Sequence, residues 1–170
     1  NREFEQAESE EIARIIGLAA LKYADLSNQA TKDYIFDIDK FTSFEGNTGP
    51  YILYTVVRIK SILRKFTEAG GNTEGLKLNE AASDEEKALM LTISDFNRTA
   101  VNAFEELAPH RVCAFMYEAA NEFNRFYHST RILNQADAKK QQGWIALLML
   151  TEKVFEKCLE LLGMKAPERM

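Results

Sequence analysis

A run of aromatic and basic residues between positions 51 and 65 carries the side chains needed to hold an unpaired nucleic-acid base. Tyr51, Tyr54 and Arg58 recur at spacings of three and four, and Ser61 and Lys65 continue the same line. At helical period these residues share one face. A Tyr ring can stack on an unpaired base, and Arg can stack or donate to base edges. The stripe therefore indicates a contact surface for RNA.

A second, apolar line on the same stretch predicts the face of this helix that is buried. Its members step by four and three: Ile52, Val56, Ile59, Leu63 and Phe66. Such a line is typical of the core side of an amphipathic helix. Spacing alone leaves another interpretation open, in which Tyr51 and Tyr54 cap the rim of the core with their hydroxyls in water.

The charge of the chain restricts an RNA site to a local patch. The formal net charge is −5, whereas a binder that ignores sequence needs a wide positive field. The stretch from Arg58 to Lys65 holds four basic residues and no acid. We expect Lys60, Arg64 and Lys65 to contact phosphates beside the aromatic stripe.

Motifs for covalent or metal chemistry are missing from the sequence. The histidines are His110 and His128, in no HExxH arrangement, and both are interpreted as structural or surface residues. Acidic pairs such as 37/39 and 105/106 are typical of solvated faces or helix caps. We expect no catalytic residue and no metal site in this chain.

Cysteine usage and hydropathy indicate a cytoplasmic protein. Cys113 and Cys158 stand far apart among apolar helical residues, where free thiols commonly pack as small hydrophobes. No apolar run approaches the ~20 residues needed to cross a bilayer, and no signal peptide opens the acidic first residues. Because the first residue is Asn1, we interpret the chain as a fragment of a longer protein.

The elements that must position the stripe are mostly helices. Apolar periodicity, caps and breakers predict helices over residues 4–25, 50–69, 84–107 with a break near 97, 109–127, and from after the loop at 133–138 to 162. Ser83 and Glu86 form a capping box before the third of these. Gly163 ends the last helix. The alternation of Tyr34, Phe36 and Ile38 with aspartates predicts a short, half-buried extended segment.

These elements predict a mainly all-α fold. It is an antiparallel bundle of four to five helices, preceded by a connecting segment of one short helix and one extended strand. The expected core is Ile52, Val56, Ile59, Leu63, Phe66, Phe104, Phe115, Phe123, Leu148, Phe155 and Leu162.

Several motifs, in order along the chain, closely resemble the class I arginyl-tRNA synthetases. They are residues 20–27, Phe36-Asp37, the turn Ser43-Phe44-Glu45-Gly46-Asn47-Thr48-Gly49-Pro50-Tyr51, Tyr54, Arg58-Ile59, residues 107–111 and 121–127, and the ending Pro167-Glu168-Arg169-Met170. The resemblance spans essentially the whole chain. The glycine turn and the ending are its most specific parts.

The resemblance implies that this chain is the carboxy-terminal third of such an enzyme. Residues 1–50 would connect the catalytic domain to a DALR-type anticodon-binding bundle at 51–170. The parent would use ATP and Mg to join arginine to its tRNA, through HIGH- and KMSKS-type signatures that do not occur here. The implied chain is a cytoplasmic monomer that binds arginine tRNA, with no cofactor of its own and neither DNA nor a membrane as partner.

The resemblance also singles out residues that would enclose an anticodon base. They are Tyr51, Tyr54, Arg58, Tyr127 and Met170, with Asn47 as a further candidate. Phe126 and Tyr127 are adjacent on a helix and cannot share one role. Every arginine anticodon has cytosine in the middle, so one pocket for cytosine would serve all arginine tRNAs. Tyr54 would stack on the base, and Arg58 would contact the base or its phosphate.

Some features leave other interpretations open. Gly143-Trp144 stands where a stronger helix former is expected; Gly costs about 1 kcal/mol inside a helix, so it can mark a helix start instead.

A helical docking module for a protein partner would use the Tyr/Arg stripe as its hot spot. A small helical enzyme would need a buried acid pair with perturbed pKa values, and the sequence shows no sign of one.

Overall fold

The computed structural model describes residues 5–170, and these fold into helices joined by links, the longest of which spans residues 69–83. The helices are α1 (Gln6–Leu26), α2 (Ile38–Phe41), α3 (Gly49–Glu68), α4 (Asp84–Ser94), α5 (Phe96–Glu105), α6 (Pro109–Ser129) and α7 (Ala138–Leu161), with a 3₁₀ turn at Ile132–Asn134. No β-strand occurs in this part of the chain. The all-α prediction is confirmed.

Local chemistry sets the helix ends much as the sequence predicts. The Thr48 hydroxyl accepts from the amide of Tyr51 and opens α3, with Pro50 in its first turn. Ser83 caps α4 by accepting from the amide of Glu86 at 3.1 Å. The Glu86 carboxylate reaches back to the amide of Ala82 at 2.9 Å. α7 ends before Gly163, whose φ of +64° favours glycine.

The core lies between α3, α6 and α7, and α1 covers one side of it. α1 packs on α3, while α4 and α5 pack on α6, and α7 packs on α3. Most of the expected core residues are buried: Ile52, Val56, Ile59, Phe66, Phe115, Phe123, Leu148, Phe155 and Leu162. Leu63 is half-buried against this core. Phe104 is 80% exposed, so its placement in the core was wrong; α5 buries Ala103 instead.

The predicted extended strand at residues 34–39 is also wrong. Residues 33–37 are irregular, and Ile38 begins the single turn of α2. Asp37 caps that turn by accepting from the amide of Lys40. Phe41 meets the rings of Tyr34 and Phe36 edge-on at 6.1 and 5.3 Å. The alternation therefore came from a helix cap and a small aromatic cluster, with most of its apolar residues exposed.

Two details of the later helices differ from expectation. The break between α4 and α5 falls at Asp95, slightly before the predicted position. Gly143 lies inside α7 and does not mark its start. A Cβ at this position would come within 2.3 Å of the Asn79 side-chain nitrogen, which donates to the carbonyl of Lys139. Gly143 thus lets a loop residue approach the helix backbone.

Within residues 5–170, no helix is both long enough and apolar enough to cross a membrane.

Candidate nucleic-acid interface

Arg58 lies between two tyrosine rings on the outer face of α3. Its guanidinium carbon is 4.7 Å from the ring centre of Tyr54 and 5.1 Å from that of Tyr127. Tyr54 comes from the preceding turn of α3, and Tyr127 comes from the last turns of α6. Tyr54 is 42% exposed and Tyr127 is 36% exposed. Both distances are in the range of cation–π attraction. Residues of two helices thus form an aromatic and cationic cluster at the surface, made of Tyr54, Arg58 and Tyr127.

The adjacent residues Phe126 and Tyr127 have separate roles. Phe126 is fully buried and meets Trp144 edge-on, with ring centres 6.1 Å apart. Tyr127 stacks on Phe123 at 5.9 Å and reaches the surface beside Arg58. A helix turns about 100° per residue, which sends neighbouring rings in different directions.

A hydrogen-bonded relay of asparagines orients Arg58 from α6. Nη1 of Arg58 donates to Oδ1 of Asn124 at 2.7 Å. Nδ2 of Asn124 donates to the hydroxyl of Tyr51 at 2.9 Å, and that hydroxyl donates to Oδ1 of Asn121 at 2.9 Å. Tyr51 is half-buried, and its ring meets Tyr117 edge-on. Tyr51 therefore supports the cluster from beneath, with its hydroxyl already engaged.

Asn121 and Asn124 belong to this site but were not predicted from the sequence. They stand three residues apart on α6, a spacing that puts both on one face. The available signal was this pair of amides, which falls on the same helix face as Tyr117. Polar residues in such a place need hydrogen-bond partners.

Met170 joins the Tyr54 side of the cluster. It is half-buried and packs against the core. Together with Ile12, Ile16, Phe44 and Tyr54 it lines an apolar cavity of about 290 Å³. Phe44 meets Tyr54 edge-on, with ring centres 6.5 Å apart. The end of the chain is thus part of the wall beside the exposed Tyr54 ring.

Ion pairs to α1 hold the carboxy-terminal residues in place. Nε of Arg169 donates to Glu8 at 2.6 Å, and Nζ of Lys165 donates to Glu11 at 3.0 Å. Glu11 also accepts from Arg14 at 2.8 Å. The hydrogen bond from Arg14, followed by that from Lys165, lowers the pKa of Glu11 to about 2. The hydrogen bond from Arg169 likewise lowers the pKa of Glu8.

Asn47 lies at the entrance to α3 and contacts a buried tyrosine. Its Oδ1 is 2.6 Å from the hydroxyl of Tyr23, which is also 2.8 Å from the carbonyl of Cys113. Burial raises the pKa of Tyr23 well above its ordinary value. The side-chain oxygen of Asn47 therefore accepts a hydrogen bond from Tyr23 on α1, and the same hydroxyl links the turn to α6.

The three basic residues expected to meet phosphates lie in different surroundings. Lys65 is exposed on the same face as Arg58. Arg64 is half-buried and lies 3.8 Å from Glu68 on its own helix. Lys60, about 200° around α3 from Arg58, points away from the cluster.

Lys60 already has carboxylate partners. Its Nζ is 2.6 Å from Glu168 and 3.4 Å from Glu156, with only 11% of the side chain exposed. Burial lowers the pKa of Lys60, but hydrogen bonds with Glu168 and Glu156 outweigh that effect and raise it overall. We therefore leave Lys60 out of the candidate interface.

The cysteines and the acidic residues form no second reactive centre in the described part of the chain. Cys113 and Cys158 are buried free thiols, and burial raises the pKa of each to about 12. Among residues 5–170, no cluster of His, Cys, Asp and Glu could hold a metal ion.

Residues 52–170 match the family described as the DALR anticodon binding domain. The chain is 54% identical over 172 aligned positions to the arginine–tRNA ligase of Agathobacter rectalis, and 53% identical over 170 to that of Alkaliphilus oremlandii. Each alignment covers 100% of this chain and 29% of the relative. The chain therefore spans less than a third of the length of these curated relatives.

Two solved structures of arginyl-tRNA synthetases are also similar to this chain. Plasmodium falciparum arginyl-tRNA synthetase superposes with a TM-score of 0.83, and the Thermus thermophilus enzyme with 0.82. Each is 29% identical to this chain, and the alignment covers 95% of this chain and 28% of the other.

Proposed function

Because the chain belongs to the DALR anticodon binding domain family, we propose that it reads the anticodon of arginine tRNA. It does so as the carboxy-terminal part of an arginine–tRNA ligase, and binds one base of the anticodon loop at the cluster of Tyr54, Arg58 and Tyr127. Residues 51–170 form the reading unit. Residues 1–50 connect it to the catalytic part of the parent enzyme.

The observation that carries this proposal is the position of Arg58 between the exposed rings of Tyr54 and Tyr127. Aromatic faces stack on unpaired bases, each contact contributing about 1–3 kcal/mol. A guanidinium has five N–H donors, so the bond from Arg58 to Asn124 leaves donors for a base edge or a phosphate. Met170 and Phe44 supply an apolar wall next to Tyr54.

Positive charge beside the cluster supports the same proposal. Lys65 and Arg64 lie further along α3 and would meet phosphates of the loop. A small positive patch in a chain of net charge −5 suits recognition of one RNA structure, because it adds little general attraction for other nucleic acids.

The parent enzyme would carry out ATP-dependent arginylation of tRNA with its other domains. This chain would supply no catalytic residue and no cofactor ligand. We place the protein in the cytoplasm as a monomer, where it meets arginine tRNA as its macromolecular partner.

The test is a titration of the chain with labelled arginine tRNA and with the same tRNA changed at its middle anticodon base, at two salt concentrations. We expect salt-dependent binding that the base change weakens. Equal binding to both RNAs would contradict anticodon reading. Binding that is absent at low salt would favour the docking of a protein partner on the same stripe.

A further inference from the structure

A groove leads away from the aromatic cluster, starting at Tyr127. Two cavities of about 390 and 530 Å³ lie side by side and share Lys65, Leu133 and Asn134. The first also reaches Tyr127 and Arg131, and the second reaches Asn72 and Gln142. We name this the 65/131 groove. Each half falls within the range of about 300–1,000 Å³ found for ligand sites of drug size.

The lining of the 65/131 groove contains no carboxylate. Neither cavity is bounded by Asp or Glu, although the chain has 26 acidic residues against 21 basic ones. Lys65 and Arg131 are exposed, and no carboxylate among residues 5–170 lies within ion-pair distance of either. The groove therefore keeps two uncompensated positive charges in an acidic protein, which favours an anionic ligand.

The segment that carries Arg131 is held on both sides. Before it, the hydroxyl of Ser129 donates to the carbonyl of Phe126 at 3.1 Å. After it, Ile132 is buried. The side-chain amide of Gln141 donates to the carbonyls of Ile132 and Leu133 at 3.0 and 3.1 Å. A cation on an anchored segment loses less freedom when it binds a ligand.

Polar amides lie among the apolar residues that line the rest of the groove. Asn134 and Gln142 are positioned along it, and such side chains donate to and accept from base edges and ribose hydroxyls. Cations interleaved with amides, and adjoining an aromatic platform, are typical of a path for single-stranded nucleic acid. The two cations, together with the adjoining ring of Tyr127, favour such a strand over a peptide.

We propose that the 65/131 groove binds the nucleotide next to the base held by Tyr54 and Tyr127. Lys65 and Arg131 contact the phosphate between the two nucleotides, and Asn134 and Gln142 contact the second base or its ribose. The groove thereby sets the direction in which the RNA strand leaves the cluster. This inference rests on the proposed function, because Tyr127 is common to both sites.

The experiment compares Arg131→Gln and Lys65→Gln with the matched control Lys87→Gln. Lys87 is an exposed lysine on α4 that lines neither cavity. All three variants remove one surface charge. Each protein is titrated with a labelled stem-loop of the arginine anticodon over a range of salt concentrations.

We expect the two groove variants to bind several-fold more weakly and to lower the slope of log affinity against log salt by about 1. Lys87→Gln should keep the slope of the unaltered protein, and Arg131→Lys should recover most of the affinity. Equal losses in Lys87→Gln and Arg131→Gln would reduce the effect to general charge and overturn the proposal. Unaltered affinity and slope in Arg131→Gln would overturn it as well.

A stem-loop with a changed middle base separates the two proposals. If the unaltered protein discriminates against that base while Arg131→Gln keeps its affinity and salt slope, RNA binding by the 65/131 groove is wrong and anticodon reading stands. If base discrimination is missing while Arg131→Gln lowers affinity and slope, the groove binds RNA and anticodon reading is wrong.

Discussion

The side chain of Arg58 on α3 donates a 2.7 Å hydrogen bond to Oδ1 of Asn124 on α6. The amide group of Asn124 is in turn fixed by its bond to the hydroxyl of Tyr51. The orientation of the guanidinium between its two tyrosine rings therefore depends on both helices. Base recognition at this cluster should respond to a change of Asn124, which contacts Arg58 directly, as well as to changes in the rings.

Asn124→Ala should weaken both RNA binding and the fold. The substitution removes an acceptor for Arg58 and a donor to Tyr51, each worth about 1 kcal/mol in net stability. We expect a loss of about 1–3 kcal/mol in the free energy of unfolding, measured by urea denaturation. We also expect several-fold weaker binding of the arginine anticodon stem-loop.

Asn121→Ala is the matched control for that prediction. It removes the acceptor for the Tyr51 hydroxyl but leaves the bond between Arg58 and Asn124 in place. Stability should fall by about 1 kcal/mol, while RNA affinity should change little. Equal losses of RNA affinity in the two variants would show that the direct bond between Asn124 and Arg58 contributes nothing to RNA binding.

Tyr54→Ala should weaken RNA binding without unfolding the protein. The ring is substantially exposed, so its removal costs the core little, whereas a lost stacking contact costs about 1–3 kcal/mol of binding free energy. Tyr54→Phe keeps the ring and should bind nearly as well as the original protein. Fluorescence titrations and thermal melts of both variants provide the measurement. Unaltered affinity in a folded Tyr54→Ala protein would remove Tyr54 from the site.

Gly49→Ala should destabilise the contact between α1 and α3. A Cβ at Gly49 would lie 2.4 Å from the backbone oxygen of Ala19, so the two helices would have to separate. Overpacking of this kind costs about 1–3 kcal/mol. Gly17→Ala is the control within α1, because no atom beyond the neighbouring backbone of α1 lies within 4 Å of the added Cβ. It should stabilise the protein by about 1 kcal/mol. Urea denaturation that ranks the two substitutions in the reverse order would contradict this packing.

The carboxy-terminal residues should detach from α1 in acid. The pKa of Glu11 is lowered from 4.5 to about 2 by Arg14 and Lys165. The part of this shift that comes from Lys165 reports the contact with the chain end: the ionised carboxylate stabilises that contact above pH 4.5, and this contribution is lost as the pH falls toward 2. The methyl NMR signal of Met170 should shift over this interval, and should shift already at pH 7 in Glu8→Gln/Glu11→Gln.

Met164 supplies the internal control for the acid prediction. It is buried, and its amide donates to the carbonyl of Leu159 at 2.7 Å. Its methyl signal should stay in place while that of Met170 moves. A Met170 signal that is unaltered in the double variant would mean that the ion pairs do not hold the chain end.

The sequence predicted most helix ends because each depends on local chemistry. Thr48, Ser83 and Gly163 act through a cap or a left-handed turn that neighbouring residues determine. The failures concern tertiary surroundings. Phe104 lies on a short helix whose orientation is set by the helices packed against it. The alternation near Tyr34 is typical of a strand, but a strand also needs a pairing partner, and a local pattern cannot show whether one is present.

The sequence predicted the stripe of Tyr54 and Arg58 on α3, but it did not predict the α6 residues that contact Arg58. Tyr54 and Arg58 share one helix, so their spacing placed them together. The contacts of Arg58 with Tyr127 and Asn124 join residues 66 or more positions apart, which no local pattern encodes. Lys60 lies close in sequence to Arg58, but its pairing with Glu156 and Glu168 depends on where α7 and the chain end pack.

The most direct test of anticodon reading is a thermodynamic cycle between the protein and the RNA. Affinities are measured for the original protein and for Arg58→Gln, each with the arginine anticodon stem-loop and with the stem-loop changed at its middle base. We predict that the base change weakens binding to the original protein by tenfold or more (~1.4 kcal/mol or more) and that this penalty largely disappears in Arg58→Gln. An identical penalty in both proteins would mean that the base is read elsewhere.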